Sequence, residues 1–564
     1  MARKSVYYNA FGGMDCHAKN VAFAADTLGF SIDEAGTMCK YRGKETFYTA
    51  ESDIVAVWSG VLGGRKAIIC VANGKLCDTD PDTSITSVRS LSGASRAALF
   101  KFEDKLYALC DTGYFSYDGT TMTEVDGYVP LISVATTPAG SGTPYEAVNM
   151  LTAARRQLFS PDGEEACFQL AEKGITGVTK VTFNGVTVDP VDYSVDHGEG
   201  TVTLTGAPFA GVNTLEIEYV ADSSARAEFL GYKNAMLFGS DADERVFLWN
   251  NAQKPNYRIH SELADGVPSA EYFPVTSYTA VGSAPITDIV QEYDKQLIFT
   301  AGSAYYSYCE MKTSISGQVY ASYPVYPLHP RKGNLIYGSG CTCNGMPVTL
   351  CADGLNLWQP TTVETEKNAF CISAPVRDLI APETWDLSSG AMICALDPES
   401  EIYVLCSACT LVYNYRSKRW YKLNESGLTS IFASFGSIYT VKGNKIYKAT
   451  SVRRDGDAYY KTHYTDLGSS SLKDIHFIDL TVEAGYLTAG SVAVSWPGNT
   501  AAHSEEKEFT IPATQNGNVL TLAIPFFIPS VSGITIEFKC PSGKELKLLG
   551  FGITYDDKGV HNGL

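Results

Sequence analysis

"DKLYALCDTGYFSYDG", residues 104–119, holds two short apolar runs on either side of a polar turn. The same plan returns in "RKAIICVANGKLCDTD" (65–80), "KNAMLFGSDADERVFLWN" (233–250) and "DKQLIFTAGSAYYSYCE" (294–310). It returns again in "NGMPVTLCADGLNLWQP" (344–360), "SEIYVLCSACTLVYNYRSKRWYKL" (400–423) and "GSIYTVKGNKIYKATS" (436–451). Once the stretch 136–222 is set aside, the starts lie roughly 35 to 60 residues apart, and short strands recurring every 40 to 50 residues or so are the pattern of propeller blades. A hairpin of this size cannot bury both faces alone; radial stacking of small sheets covers them and leaves only short edges. Seven units predict an all-β chain built on a β-propeller of about 6–8 blades, because chain termini commonly complete one blade jointly. Unrelated hairpins in two or three sandwiches would explain the alternation but not the recurrence. No WD dipeptide or fixed glycine marks the units, so the periodicity carries the inference.

The stretch set aside follows another rhythm. In "TKVTFNGVTVDPVDYSVDHGEGTVTLTGAPFAGVNTLEIEYVADSS" (179–224), Val181 and Phe183 alternate with Val186 and Val188 across Asn184-Gly185, a dipeptide suited to a tight hairpin. The pairs Tyr193/Val195, Val202/Leu204 and Leu215/Ile217/Tyr219 follow. Upstream, a Gly/Ser/Pro stretch leads to Thr143-Pro144 and Glu146, read as a short helix or turn, and then to a hairpin around Asp162-Gly163. Residues 136–222 are therefore expected to be a β-sandwich inserted into a blade connection, between a propeller part at 51–135 and the remaining blades at 223–455. A loop at the rim accepts such an insertion because both ends return to nearly the same point. From 456 to 564, runs such as Val492/Val494/Trp496, Leu520/Leu522/Ile524 and Ile534/Ile536/Phe538 predict a second, C-terminal sandwich. Residues 1–50 read as an arm leading into the propeller.

Composition narrows the function classes. The chain has 564 residues with 45% hydrophobic and 19% charged, 50 Gly and 34 Tyr, and a formal charge of −18. No basic block is present, so tight sequence-independent binding of nucleic acid is not expected, and contact with DNA would be passing at most. "MARKSVYYNAFGG" has no apolar run after its basic residues, and the greasiest stretch, "LAIPFFIPSVSGITIEF", is broken by two prolines and a glycine. Neither a secretory signal nor membrane insertion is expected, and the chain reads as made in cytoplasm.

Candidate chemistry is sparse. The 15 cysteines are odd in number and irregular in spacing. Cys341-Thr342-Cys343 and Cys406-Ser407-Ala408-Cys409 have the spacing of a metal or redox pair, but the second lies within a strand-like run, where positions three apart point to opposite faces. Small buried thiols are the expectation, with no cofactor and no metal. The eight histidines, at 17, 197, 260, 329, 463, 476, 503 and 561, are scattered, and no HExxH, G-x-S-x-G or P-loop occurs. The sialidase repeat Ser-x-Asp-x-Gly-x-x-x-Trp is approached at Ser160 and Asp353 but completed at neither, and both read as Asp-Gly turns. Trp358, Trp420 and Trp496 could stack on a sugar, but a tryptophan at strand spacing is more often a core residue.

Three pieces together resemble a family. "NAFGGMDCHAKNVAFAADTLGFSIDEAGTMCKYRG" (9–43) looks like the opening of propeller-type virion structural proteins of tailed bacteriophages, with 36–43 similar to their G-x-L-x-x-R-x-G entry, although Met38 replaces Leu and Gly43 directly follows Arg42. The inserted stretch is similar to small sandwiches of phage structural proteins at Phe159, Asp162, Gly163, Phe168, Leu170, Asn184, Gly185, Tyr193, Ala207, Pro208 and Tyr219. "YKTHYTDLGSSSLKDIHFIDLTVEAG" resembles the exit from such propellers into a terminal sandwich. The resemblance, to packaged-DNA stabilisation and tail nozzle proteins, implies a non-enzymatic, multi-copy component of the tail or head–tail junction, assembled in the host bacterial cytoplasm. It would form a homo-oligomer beside portal, adaptor and tail proteins and act as an assembly or DNA-exit scaffold. The alternatives are a glycan- or receptor-binding adhesin module and a propeller glycosidase.

Overall fold

The recurrent apolar hairpins become the middle strands of four-stranded antiparallel sheets, because those strands are covered from both sides and need apolar residues on both faces. The computed structural model describes residues 3–222, 224–240, 243–313, 319–359, 369–380, 392–406, 409–498 and 501–558. Seven four-stranded sheets lie among them. Blade 1 is Ile54–Leu62, Arg65–Ala72, Lys75–Thr79 and Thr86–Ser90, and blade 2 is Ala97–Phe102, Lys105–Cys110, Tyr114–Tyr117 and Met122–Glu124. Blade 3 is Asn234–Ser240, Asp243–Trp249, Tyr257–His260 and Thr279–Ala280, and blade 4 is Ile286–Glu292, Lys295–Thr300, Ala304–Tyr308 and Val325–His329. Blade 5 is Cys341–Cys343, Met346–Cys351, Gly354–Trp358 and Ala369–Cys371, and blade 6 is Met392–Leu396, Glu401–Leu405, Thr410–Asn414 and Arg419–Leu423. Blade 7 takes Ser430–Ser434, Ser437–Lys442 and Lys445–Ala449 from one end of the chain and Lys44–Thr49 from the other. The ring is therefore closed by strand pairing between distant segments.

First strands of successive sheets approach one another between blades 1 and 2, 2 and 3, 4 and 5, 5 and 6, and 6 and 7, which puts them around the axis. Five of the seven repeats are the second and third strands of their blades, and 400–423 holds the fourth strand as well. The third, 233–250, is instead the first and second strands of blade 3, one strand out of phase. The phase slip accounts for the long interval to the next unit.

The N-terminal segment does more than lead into the propeller. Arg3–Tyr8 and Met38–Lys40 pair with Lys547–Asp557 in one sheet of the terminal sandwich, which also holds Phe30–Ile32, Lys473–Glu483 and Val519–Val531. Gly13–Met14 and Phe23–Leu28 join the other sheet, with Ala458–Thr462, Thr535–Cys540, Ala489–Trp496 and His503–Thr510. The segment 36–43, read as a propeller entry, thus contributes a sandwich strand. Phe11, Val21, Ala24, Phe30, Ile32 and Met38 are part of the sandwich's core, alongside Tyr460, Phe538 and Phe551.

The insert is a sandwich of a six-stranded and a three-stranded sheet. Its first strand, Leu131–Thr136, begins before the expected 136 and pairs in parallel with Ala154–Phe159, a non-local partnership that alternation does not reveal. Thr143–Pro144 is a short strand rather than a helix or turn. Asp162-Gly163 does not close a hairpin: Ala154–Phe159 pairs with Leu215–Val220, whereas Cys167–Gln169 pairs with Thr201–Leu204 in the opposite sheet. The turn carries the chain across the core, where Phe159 and Phe168 meet edge to face at 5.5 Å. Asn184 and Gly185 do form the expected tight turn, with φ of 50° and 77°.

Candidate functional site

Catalysis by paired carboxylates needs a group whose proton is held up into the neutral range within an accessible cleft. Two of the clefts hold a carboxyl that is drawn down instead. One of about 530 Å³ in the terminal sandwich is lined by Glu506, Glu537 and Lys539. There Ser491 and Lys539 hydrogen-bond to Glu506 and hold its carboxyl below the usual range. A second, of about 550 Å³ on the insert, contains Asp162, which two backbone N–H groups, of Glu165 and Glu164, likewise draw down. The carboxyls that burial raises are packed elsewhere, among them Asp288 and Glu292 on the first strand of blade 4, each pushed up to about 7. Glu292 is only 2% exposed, and its Oε1 has no hydrogen-bond partner.

This predicts a pH effect on stability. Between the ordinary carboxylate range and about 7, folded Glu292 keeps a proton that the unfolded chain has released, so folding stability falls as pH rises through that window. Glu292→Gln keeps the neutral form throughout. Its unfolding midpoint in urea should match the parent near pH 4 and exceed it above pH 7, by on the order of 2–3 kcal/mol. A variant no more stable than the parent above pH 7 would show that Glu292 is not held protonated.

The third cleft, of about 580 Å³, lies where blades 6 and 7 meet the N-terminal segment and contains Arg42, Glu399 and Arg453. Both cations are engaged. Arg42 reaches Glu401 at 3.3 Å, and Arg453 donates to Ser31 Oγ and the Lys40 carbonyl at 3.3 and 3.0 Å. Behind Arg42, Glu401 accepts from the hydroxyls of Tyr403 and Tyr421, and the Tyr41 and Tyr403 hydroxyls lie 2.6 Å apart. Burial raises Glu401, with Arg42 opposing it. This network fastens the N-terminal segment to blade 6.

The sequence candidates are placed apart. His17 faces Asp378, His260 faces Glu262 and His476 faces Asp556, while His197 and His463 lie near backbone carbonyls. His329 accepts the N–H groups of Arg331 and Lys332, and His503 stacks on Trp496. His561 and Ser407-Ala408 lie outside the described residues. Trp358 and Trp420 are core residues, and Trp496 is half-buried. Asp353 is paired with Lys332 in a turn. Among the described residues, no three His, Cys, Asp or Glu side chains are arranged to hold a metal ion, and no helix is long and apolar enough to cross a membrane.

Cys406 and Cys409 require a correction. They do not sit at opposite faces of one strand. Cys406 follows Glu401–Leu405 and Cys409 precedes Thr410–Asn414, the paired strand, and the Cys406 N–H donates to the Cys409 carbonyl at 3.0 Å.

Exposed large apolar side chains occur on both the propeller and the sandwiches, and the most exposed of them are mainly on the insert. Of the six large apolar side chains that are at least 70% exposed among the described residues, Val186, Val191, Phe209 and Val212 are on the insert and Phe527 is on the terminal sandwich; Ile85 on blade 1 is the sixth. The four on the insert share its far end. Ala154–Phe159 rises from the propeller side and Leu215–Val220 returns, so 205–214 and the 183–186 turn are distal, with Asp192 bonded to Thr205 beside Val191. Of the four, only Val186 is in a strand, so alternation does not mark this knob as a whole.

No family model matches the chain, and no curated protein matches it. Solved structures that it resembles include Kluyveromyces lactis Hsv2, at 9% identity over 74% of this chain and 95% of that one, with a TM-score of 0.32. The WD40 domain of SCAP from fission yeast is similar at 8% identity over 74% and 97%, with a TM-score of 0.29. An exo-β-1,3-galactanase from Phanerochaete chrysosporium is 11% identical over 91% and 100%, with a TM-score of 0.17. These scores carry no functional argument, and the fold rests on the seven sheets themselves.

Proposed function

We propose that the chain is a non-enzymatic structural protein of a multi-copy particle, of the tailed-phage virion type that its sequence resembles. The observation that carries this reading is that four of the six most exposed apolar side chains are on the insert, with Phe527 on the terminal sandwich. Exposed apolar clusters on a protein surface mark contacts with other proteins. The propeller, closed by Lys44–Thr49 and stitched to the terminal sandwich by the preceding strands, supplies a rigid wedge between those contacts.

Phe209→Glu tests the assembly half of the reading. Phe209 is 85% exposed, so the variant should fold and melt like the parent. Its self-association, or its binding to the neighbouring particle protein, should weaken roughly tenfold or more, as for a contact residue at the centre of an interface. Unchanged association in sedimentation would remove the knob from the account.

Partner chemistry follows from charge. With a formal charge of −18, and with Arg42 and Lys44 already paired to Glu401 and Glu425, the protein should not retain duplex DNA on a filter even at low salt. DNA in such a particle would pass the wall rather than adhere to it. Tight retention that falls steeply with salt would reveal a basic face.

A further inference from the structure

We propose that two copies of the chain join edge to edge along 519–524, so that a sheet of one terminal sandwich continues into the same sheet of the other. The pairing rests on backbone groups of the terminal sandwich and stands independently of the particle reading.

Among the described residues, Val519–Val531 is the outermost strand of its sheet and has one neighbour, Lys473–Glu483. The Asn518 carbonyl accepts from the Ala484 N–H at 2.9 Å, so it points towards that neighbour. The register is unbroken from Val519 to Pro525, and backbone groups alternate in direction along a strand. Leu520, Leu522 and Ile524 therefore bond inward, while Val519, Thr521 and Ala523 turn their N–H and C=O groups to the open edge. Pro525 falls in the outward set, where a missing N–H breaks no ladder bond, and it ends the open stretch.

Such a row of backbone donors and acceptors is a template for one more strand, and folded proteins normally blunt it. The sandwich does so at its other edges. Phe30–Ile32 and Gly13–Met14 are only three and two residues long, Arg3–Tyr8 begins with two cations, and His503–Thr510 carries Glu505, Glu506, Lys507 and Glu508. The stretch 519–524 has neither charge nor proline.

Only an extended strand satisfies this edge, and the segment is its own complement. A two-fold axis at Thr521 sets Thr521 against its copy and Val519 against Ala523 of the other copy, so every outward N–H meets a C=O. The same axis brings Leu520, part-buried against the core, beside Leu522 of the other copy. The formal charge of the chain is −18, yet here two copies meet with no like charges opposed.

The test uses the full-length protein carrying Phe209→Glu, so that the insert's contact does not contribute, and reads association by sedimentation equilibrium. This parent should dimerise. Thr521 is exposed, so adding Thr521→Asp or Thr521→Lys should leave folding and melting as in the parent. Each variant alone opposes two like charges across the axis and should dimerise roughly tenfold or more weakly. An equimolar mixture of the two should restore dimerisation, because the axis then opposes unlike charges. A monomeric parent, undiminished dimerisation in both variants, or a mixture that stays monomeric would each overturn the two-fold pairing.

Discussion

Phe11→Ala will destabilise the terminal sandwich by about 3–5 kcal/mol, the cost of emptying a large aromatic site in a packed core. Phe11 is fully buried, with ring centroids of Tyr460, Phe551 and Phe538 at 5.2, 5.6 and 5.8 Å. Its backbone N–H donates to the Gly36 carbonyl at 2.9 Å, so the segment around it is held on both sides. The three aromatic partners come from the other end of the chain, and the core cluster that holds them contains no blade residue. The loss should therefore appear as early proteolysis of 456–558 in guanidinium, with the blade strands still protected. Phe11→Leu, which keeps most of the volume, should cost markedly less. Equal protection of the sandwich in parent and Phe11→Ala would mean that the N-terminal segment only rests on it.

Trp420→Ala should cost the propeller a similar amount, about 3–5 kcal/mol, and leave a buried carbonyl without its donor. Trp420 is 1% exposed on the outer strand of blade 6. Its ring lies 5.0 Å from that of Tyr413 across the sheet, and its Nε1 donates to the Ile372 carbonyl of the blade 5 connection at 3.0 Å. Trp420→Phe separates the two contributions: packing is largely kept, and the unpaired Ile372 carbonyl should cost roughly 1–3 kcal/mol alone. Equilibrium unfolding monitored by circular dichroism reads both. If Trp420→Ala unfolds with the parent, blades 5 and 6 do not depend on this contact. The same two variants should leave glycan-array signals as they were, since a side chain in the core offers no face to a sugar.

What could be read from the sequence follows from how each strand is covered. Arg65–Ala72, Lys295–Thr300 and Glu401–Leu405 lie between neighbouring blades, so their apolar runs are nearly continuous and stand out. Cys341–Cys343, the first strand of blade 5, is only three residues long and leaves no such run. The slip at 233–250 has the same origin: Asn234–Ser240 is apolar enough to pass for a middle strand, whereas Tyr257–His260 carries the buried Arg258 and His260. Lys44–Thr49 was not recognisable as a blade 7 strand, since its partner Lys445–Ala449 is at the far end of the chain. The exposed knob is equally hidden: Phe209 and Val212 are in a loop and Val191 in a single 3-10 turn, where an apolar residue looks the same whether buried or bare. The facing of Cys406 and Cys409 depended on where a turn interrupts one apolar run, which residue spacing alone does not fix.

The most direct measurement is electron microscopy of the native assembly recovered on the tagged full-length chain. The account predicts several copies in a closed ring or particle layer, with neighbouring copies or other particle proteins seated on the insert's tip around Phe209 and on the terminal sandwich around Phe527. A chain recovered as a lone monomer that hydrolyses a sialoside or glycoside, or that binds a glycan through Trp496 and loses it in Trp496→Ala, would contradict it.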